Sequence, residues 1–162
     1  MQKFAVLGRP QAALTQLGLG LCARHYREYW YSPRKANERW IMTMNHLEDI
    51  FKSGDDLAVD SVALSFQMAR ISLLRYGQSL TELELFHVTA LLLIDVLSEQ
   101  RHPQAAFTVL MEALCVFSDL EDHASVQPEA IARFECSLVV EATAISRRRG
   151  EKPTLRLVHS TS

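Results

Sequence analysis

Apolar residues recur along this chain at helical rather than strand spacing, and they are densest between Thr81 and Gln100. From Leu83 to Leu97 they cover most of a helix circumference, far more than the single stripe of a surface helix. The pattern predicts a central, mostly buried helix over 81–100 with neighbours on several sides. Thr81 and Glu84 stand at capping-box spacing, and Leu80 and Leu85 at that of a hydrophobic staple, so the helix is expected to start at Thr81 or Glu82. Its polar remainder, Glu84, His87, Asp95 and Ser98, forms one strip interrupted by Leu91, either a thin solvent edge or a polar seam.

The flanking chain reads as five further helices. The first is expected from about Pro10 to Tyr29, with Leu14, Leu17, Leu21, His25 and Tyr29 facing inward. Gly18 and Gly20 each cost about 1 kcal/mol inside a helix, so they mark either a close helix contact or a break near residue 19. Ser32-Pro33 is a cap followed by a first-turn proline, opening a second helix to about Lys52 with Ala36, Trp40, Met44, Leu47 and Phe51 inward. Gly54 suits a helix end, and Asp55 or Asp56 a new cap. In the third helix Val59, Val62, Ala63, Phe66, Ala69 and Leu73 make the main stripe, widened by Leu57, Leu64, Met68 and Ile71, and the helix ends near Tyr76-Gly77. Arg101-His102-Pro103 forces a turn into a fifth helix that closes at Leu120. Pro128 opens a sixth, which carries Phe134 and Leu138 inward and ends at Arg147, Arg148 and Arg149 before Gly150 and Pro153.

These elements make an all-α fold, a single-domain bundle of about six helices. An N-terminal arm (1–9) precedes the helical domain (10–150), and a basic C-terminal tail (151–162) follows it. Phe4 to Leu7 and Thr154 to Val158 could pair as a short strand, but fraying of the polar end Ser160-Thr161-Ser162 is the favoured reading.

Composition narrows the class. With 48% hydrophobic residues and only six Gly and five Pro in 162, a turn-rich β architecture is disfavoured. The formal net charge is −2, but its distribution is uneven: seven Lys/Arg against two Asp/Glu over residues 1–40, four against fourteen over 41–132, and six against three over 133–162. Cys22, Cys115 and Cys136 form no CxxC pair and sit among apolar neighbours, as expected of reduced packing residues in a cytoplasmic protein. His87, Asp95 and Glu99 interrupt the longest apolar run, and Arg9-Pro10 breaks the short one near the N-terminus, so neither a membrane span nor a signal peptide is expected.

Chemistry is sparsely signalled. Glu84-x-x-His87 has the spacing of a di-iron ligand pair, but a second such pair is missing, and the remaining histidines show no zinc spacing. No nucleophile elbow, P-loop or glycine-rich turn after a strand occurs. The expectation is a protein that is not an enzyme, with no catalytic residue, metal, cofactor or small-molecule substrate. Asp95 needs either a buried cation, for which Arg70 and Arg75 are candidates, or partial exposure, which is the favoured reading.

Two function classes remain. The first is a non-catalytic helical protein-interaction module, an adaptor, regulator or assembly subunit, supported by apolar surface in excess of one stripe on helices three to five. Its expected form is a homodimer through Leu64, Met68 and Ile71, which lie off the main stripe of helix three. The alternative is a nucleic-acid-binding subunit or transcriptional regulator. Its residues would be Arg24, Arg27, Tyr29, Trp30, Arg34, Lys35 and Arg39, which mix cations for phosphates with rings for stacking, together with Arg147, Arg148 and Arg149. A sequence pI near 6.3 weighs against that alternative.

Overall fold

The computed structural model describes residues 14, 16–53, 59–76, 79–122 and 128–148, and within them the chain forms six α-helices and no strand. They are α1 (Ala23–Tyr31), α2 (Pro33–Ser53), α3 (Val59–Ile71), α4 (Leu80–Glu99), α5 (Pro103–Asp122) and α6 (Pro128–Arg148). The arm 1–9, the helix start at Pro10, the Gly54–Asp56 turn, Gly77, the tail from Arg149 onward and the suggested pairing of Phe4–Leu7 with Thr154–Val158 lie outside the described residues.

Successive helices pack on one another from α1 to α6, and α6 also returns to α4. Four phenylalanines, one from each of α3 to α6, tie these layers together. Phe66 stacks on Phe86 with ring centroids 5.3 Å apart, Phe86 meets Phe117 edge-on at 5.3 Å, and Phe117 stacks on Phe134 at 5.7 Å. Each buried ring contributes roughly 1.5–3 kcal/mol relative to exposure, and offset and edge-on geometries suit the ring quadrupoles.

The most enclosed stretch lies in α3, where every residue from Ser65 to Ile71 is buried. Val62, Phe66 and Ala69 join the main core with α4, whereas Met68 and Ile71 belong to a second cluster with Leu21, Tyr26, Trp30 and Ala36. Helix α4 buries Leu83, Phe86, Ala90, Leu93, Ile94 and Leu97 but turns Thr81, Glu84 and Val88 outward. The polar strip of α4 meets solvent at Glu84, which is exposed, while His87, Asp95 and Ser98 are half-buried. Arg70 and Arg75 do not serve Asp95. Arg70 bonds Tyr26, and Arg75 Nε donates to the Trp30 carbonyl at 3.3 Å, capping the C-terminal turn of α1.

Helix boundaries follow local chemistry. Ser32 ends α1, its N–H donating to the Glu28 carbonyl at 3.1 Å, and caps α2, its Oγ accepting from the Lys35 N–H at 3.4 Å. Helix α4 starts one frame earlier than Thr81. Ser79 is its cap, and the Ser79 N–H donates to Glu82 Oε2 at 3.1 Å. Ser79-x-x-Glu82 and Thr81-x-x-Glu84 both fit the capping-box spacing; the upstream frame wins and adds Leu80 to the first turn.

Two further expectations change. The first helix does not run from Pro10 through Tyr29: Gly18 (φ 71°) closes a helical turn in which the Leu19 N–H donates to the Leu14 carbonyl at 2.9 Å, and Gly20 (φ 76°) follows before α1 begins. The break resets the helical phase, so Tyr26 and Trp30 point inward while His25 is exposed and Tyr29 only half-buried. The cysteines are not packing residues, since all three are free and exposed. Pro103–Leu120 in α5 is long and apolar enough to cross a membrane by length and composition, yet its apolar side, including Val109, Ala113 and Phe117, is buried in the core.

Candidate functional site

The α1–Ser32–α2 hairpin carries most of the basic and aromatic residues of the expected nucleic-acid surface, and the fold divides them. Arg24, Arg27, Arg34 and Lys35 are exposed, Tyr29 and Arg39 are half-buried, and Trp30 is 7% exposed. Trp30 stacks on Tyr26 inside the second cluster, with centroids 6.3 Å apart, so its indole face is occupied by protein and is not a platform for a base. Lys35 Nζ lies 2.5 Å from Glu28 Oε1, and this hydrogen-bonded cation holds the Glu28 carboxyl below its usual range. Arg34 stands 4.0 Å from Glu38 one turn along α2. Two of the four exposed cations therefore face carboxylates of their own hairpin.

Arg147 is exposed on α6, which packs on α4 and α5, whereas α1 packs on α2. The structure does not bring the two basic segments together among its principal helix contacts. The Arg148 side chain and Arg149 lie outside the described residues.

The side of α3 assigned to a second copy is covered within the chain. Met68 and Ile71 are buried under Tyr26 and Trp30 of α1, and only Leu64 of that trio remains half-buried. The width of the α3 apolar face did require a cover, and α1 supplies it. Once the glycine break has reset the phase of α1, its two large aromatics stand over the Met68–Ile71 side.

Polar groups on this face of α3 hold the entering chain in place. The Leu21 N–H donates to Gln67 Oε1 at 2.5 Å and the Gly20 N–H to Asp60 Oδ1 at 2.9 Å, so two backbone donors of the glycine turn find acceptors on one helix. These contacts are structural. Periodicity shows a buried Gln67 only as a polar interruption in an apolar helix.

Glu84 and His87 do not converge on a common centre. Glu84 is exposed, while the His87 ring packs on Phe134 at 4.7 Å, and burial lowers its pKa, favouring the neutral imidazole. Among the described residues no group of three or more His, Cys, Asp or Glu side chains could hold a metal ion. Cys22 Sγ lies 3.0 Å from His25 Nδ1 at the start of α1, an exposed pair.

One surface feature was not singled out from sequence. Between α2 and α3 lies a groove of about 520 Å³, with Arg39, Met42, Thr43 and His46 on the α2 side and Ser61 and Leu64 on the α3 side. The spacing of 39, 42, 43 and 46 places these residues on one helix face and was legible, but Ala36, Trp40, Met44 and Leu47 carry the stronger apolar signal of α2. Met42 in this lining is 62% exposed, and Ile41, next to it in the chain, is 51% exposed. No protein-family model, curated protein or solved structure matches the chain.

Proposed function

We propose that this protein is a non-catalytic helical interaction module of the cytoplasm, an adaptor, regulator or assembly subunit that holds a protein partner on α2. The observation that carries the reading is the adjacent pair Ile41 and Met42, each more than half exposed, with Met42 lining the groove. Among the described residues helix α2 packs chiefly on α1 and α3, and Ile41 and Met42 stay exposed. Covering the exposed half or more of two such side chains contributes roughly 1–2 kcal/mol each, enough to matter in an interface whose affinity rests on a few anchors.

A second copy of the chain is the first partner to test. Sedimentation at micromolar concentration is expected to show a dimer that an Ile41→Ser, Met42→Ser double variant dissociates without loss of helicity; a monomeric wild type removes the homodimer. For a different protein, recovery of the native complex followed by mass spectrometry should return a partner that the same variant no longer holds. A partner retained by the variant would move the interaction off α2.

Nucleic-acid binding is the second reading, supported by exposed Arg24 and Arg27 on α1. It requires an affinity that falls steeply with salt and with Arg24→Gln and Arg27→Gln together.

A further inference from the structure

Resting on the interaction reading above, we propose that the α2–α3 groove receives an amphipathic helix of the partner that presents a carboxylate to Arg39 and a cation to Asp49. Arg39 differs from its basic neighbours. Arg34, Lys35 and Lys52 each face a carboxylate, at 4.0, 2.5 and 2.8 Å, whereas among the described residues Arg39 has no ion pair. Its Nε is sealed from solvent without an acceptor. A donor left in that state disfavours the empty groove, and a small rotation of the guanidinium would present Nε and an Nη together to a carboxylate in the two-pronged geometry that arginine favours.

Asp49 also lines the groove, is exposed, and has no ion pair among the described residues. Ten residues of helix separate it from Arg39, about 15 Å along α2. The groove is thus positive at one end and negative at the other. Between the charges Met42 and Leu64 offer apolar contact, and Thr43 commits its hydroxyl to the Arg39 carbonyl at 2.7 Å within its own helix. A helix laid in such a groove is read by anchors on one face. The complementary ligand carries Glu or Asp, then apolar residues, then Lys or Arg about three turns later, roughly eleven residues on. A like-charge contact at one end disfavours a ligand that carries the same charge at both positions.

The test uses the full chain and a synthetic helical peptide with Glu and Lys at that separation and leucines between them on the same face, followed by fluorescence anisotropy and by the Arg39 Nε–H resonance. Binding is expected to shift that resonance. It should weaken about tenfold or more, about 1.4 kcal/mol, in Arg39→Gln and when the peptide Glu is replaced by Lys. Arg39→Glu should prefer the peptide with Lys at both positions. No binding up to about 1 mM peptide, or equal binding of the two peptides, overturns the proposal. The two readings separate cleanly. If the Ile41 and Met42 variant loses the native partner while Arg39→Gln keeps it, α2 is an interaction surface but the charge assignment falls. If neither variant loses it, both fall.

Discussion

Arg70 on α3 donates a hydrogen bond from Nη1 to the phenolic oxygen of Tyr26 on α1, and its guanidinium carbon stands 5.9 Å from the centre of the same ring. Tyr26 is fully buried and Arg70 is 4% exposed, so the two side chains form a polar joint inside the second apolar cluster. Burial raises the Tyr26 pKa against the opposing pull of Arg70, and Glu112 on α5 acts in the same direction as burial. Tyr26→Phe removes one acceptor from a buried cation and is expected to destabilise the fold by about 1–3 kcal/mol. Tyr26→Phe with Arg70→Met should lose less than the sum of the single changes, because neither polar group then lacks the other. Urea unfolding of the four proteins measures this coupling, and strictly additive losses would show that the bond contributes nothing.

Gly18 and Gly20 both adopt positive φ, yet among the described residues only Gly20 faces a neighbour. A Cβ at Gly20 would overlap the Gln67 carboxamide that accepts from Leu21, while one at Gly18 would meet none of the described residues within 4 Å. Gly18→Ala should cost about 1 kcal/mol, the left-handed penalty alone. Gly20→Ala should cost at least about 1 kcal/mol more, since it adds overpacking against a buried side chain. Thermal unfolding that ranks the two equally would show that Gln67 moves aside freely.

Arg101 follows α4 with φ 63°, where its own N–H donates to the Ser98 carbonyl at 3.2 Å and the His102 N–H to the Leu97 carbonyl at 2.8 Å. This is a Schellman ending with arginine in the position that glycine usually takes. Arg101→Gly relieves the left-handed cost, and despite the added freedom of the unfolded chain it is expected to stabilise by about 0.5–1 kcal/mol. A lower melting temperature would mean that the arginine side chain contributes more than its backbone costs.

His87, pressed on Phe134 with Nε2 buried and lacking a hydrogen-bond partner, has its pKa lowered by desolvation. The folded state therefore binds a proton less readily than the unfolded chain, whose histidine titrates near 6.5. The stability that this neutral ring contributes is present above about pH 6.5 and declines as pH falls through that value toward the lower folded pKa. Melting temperatures at pH 8 and pH 5 should differ more for the wild type than for His87→Gln. An identical pH dependence would place the sensitivity in other groups.

Much of the architecture was legible because its signals are local. Ser32-Pro33, Pro103 and Pro128 mark helix starts by backbone chemistry that needs no tertiary partner, and α2, α5 and α6 begin there or at the next residue. Phe66, Phe86, Phe117 and Phe134 stand inward where the 3.6-residue period puts them, and together they become the stacked spine of the core. The Ser79 and Thr81 frames show the limit of local information, since both satisfy the same spacing and only the Ser79 frame takes Leu80 into the helix.

The tertiary structure decided what covers each face. The apolar width of α3 requires a cover over Met68 and Ile71, but burial under α1 or under a second copy releases hydration of the same kind, so periodicity cannot distinguish them. The choice went to α1 because Gly18 and Gly20 turn the chain and reset its phase, bringing Tyr26 and Trp30 inward instead of His25 and Tyr29. The same rotation removed Trp30 from the surface expected to meet nucleic acid, and it placed Tyr26 over Arg70. The groove beside Arg39 likewise exists only once α2 lies against α3, because a cation without an acceptor is a property of its neighbours and not of its own segment.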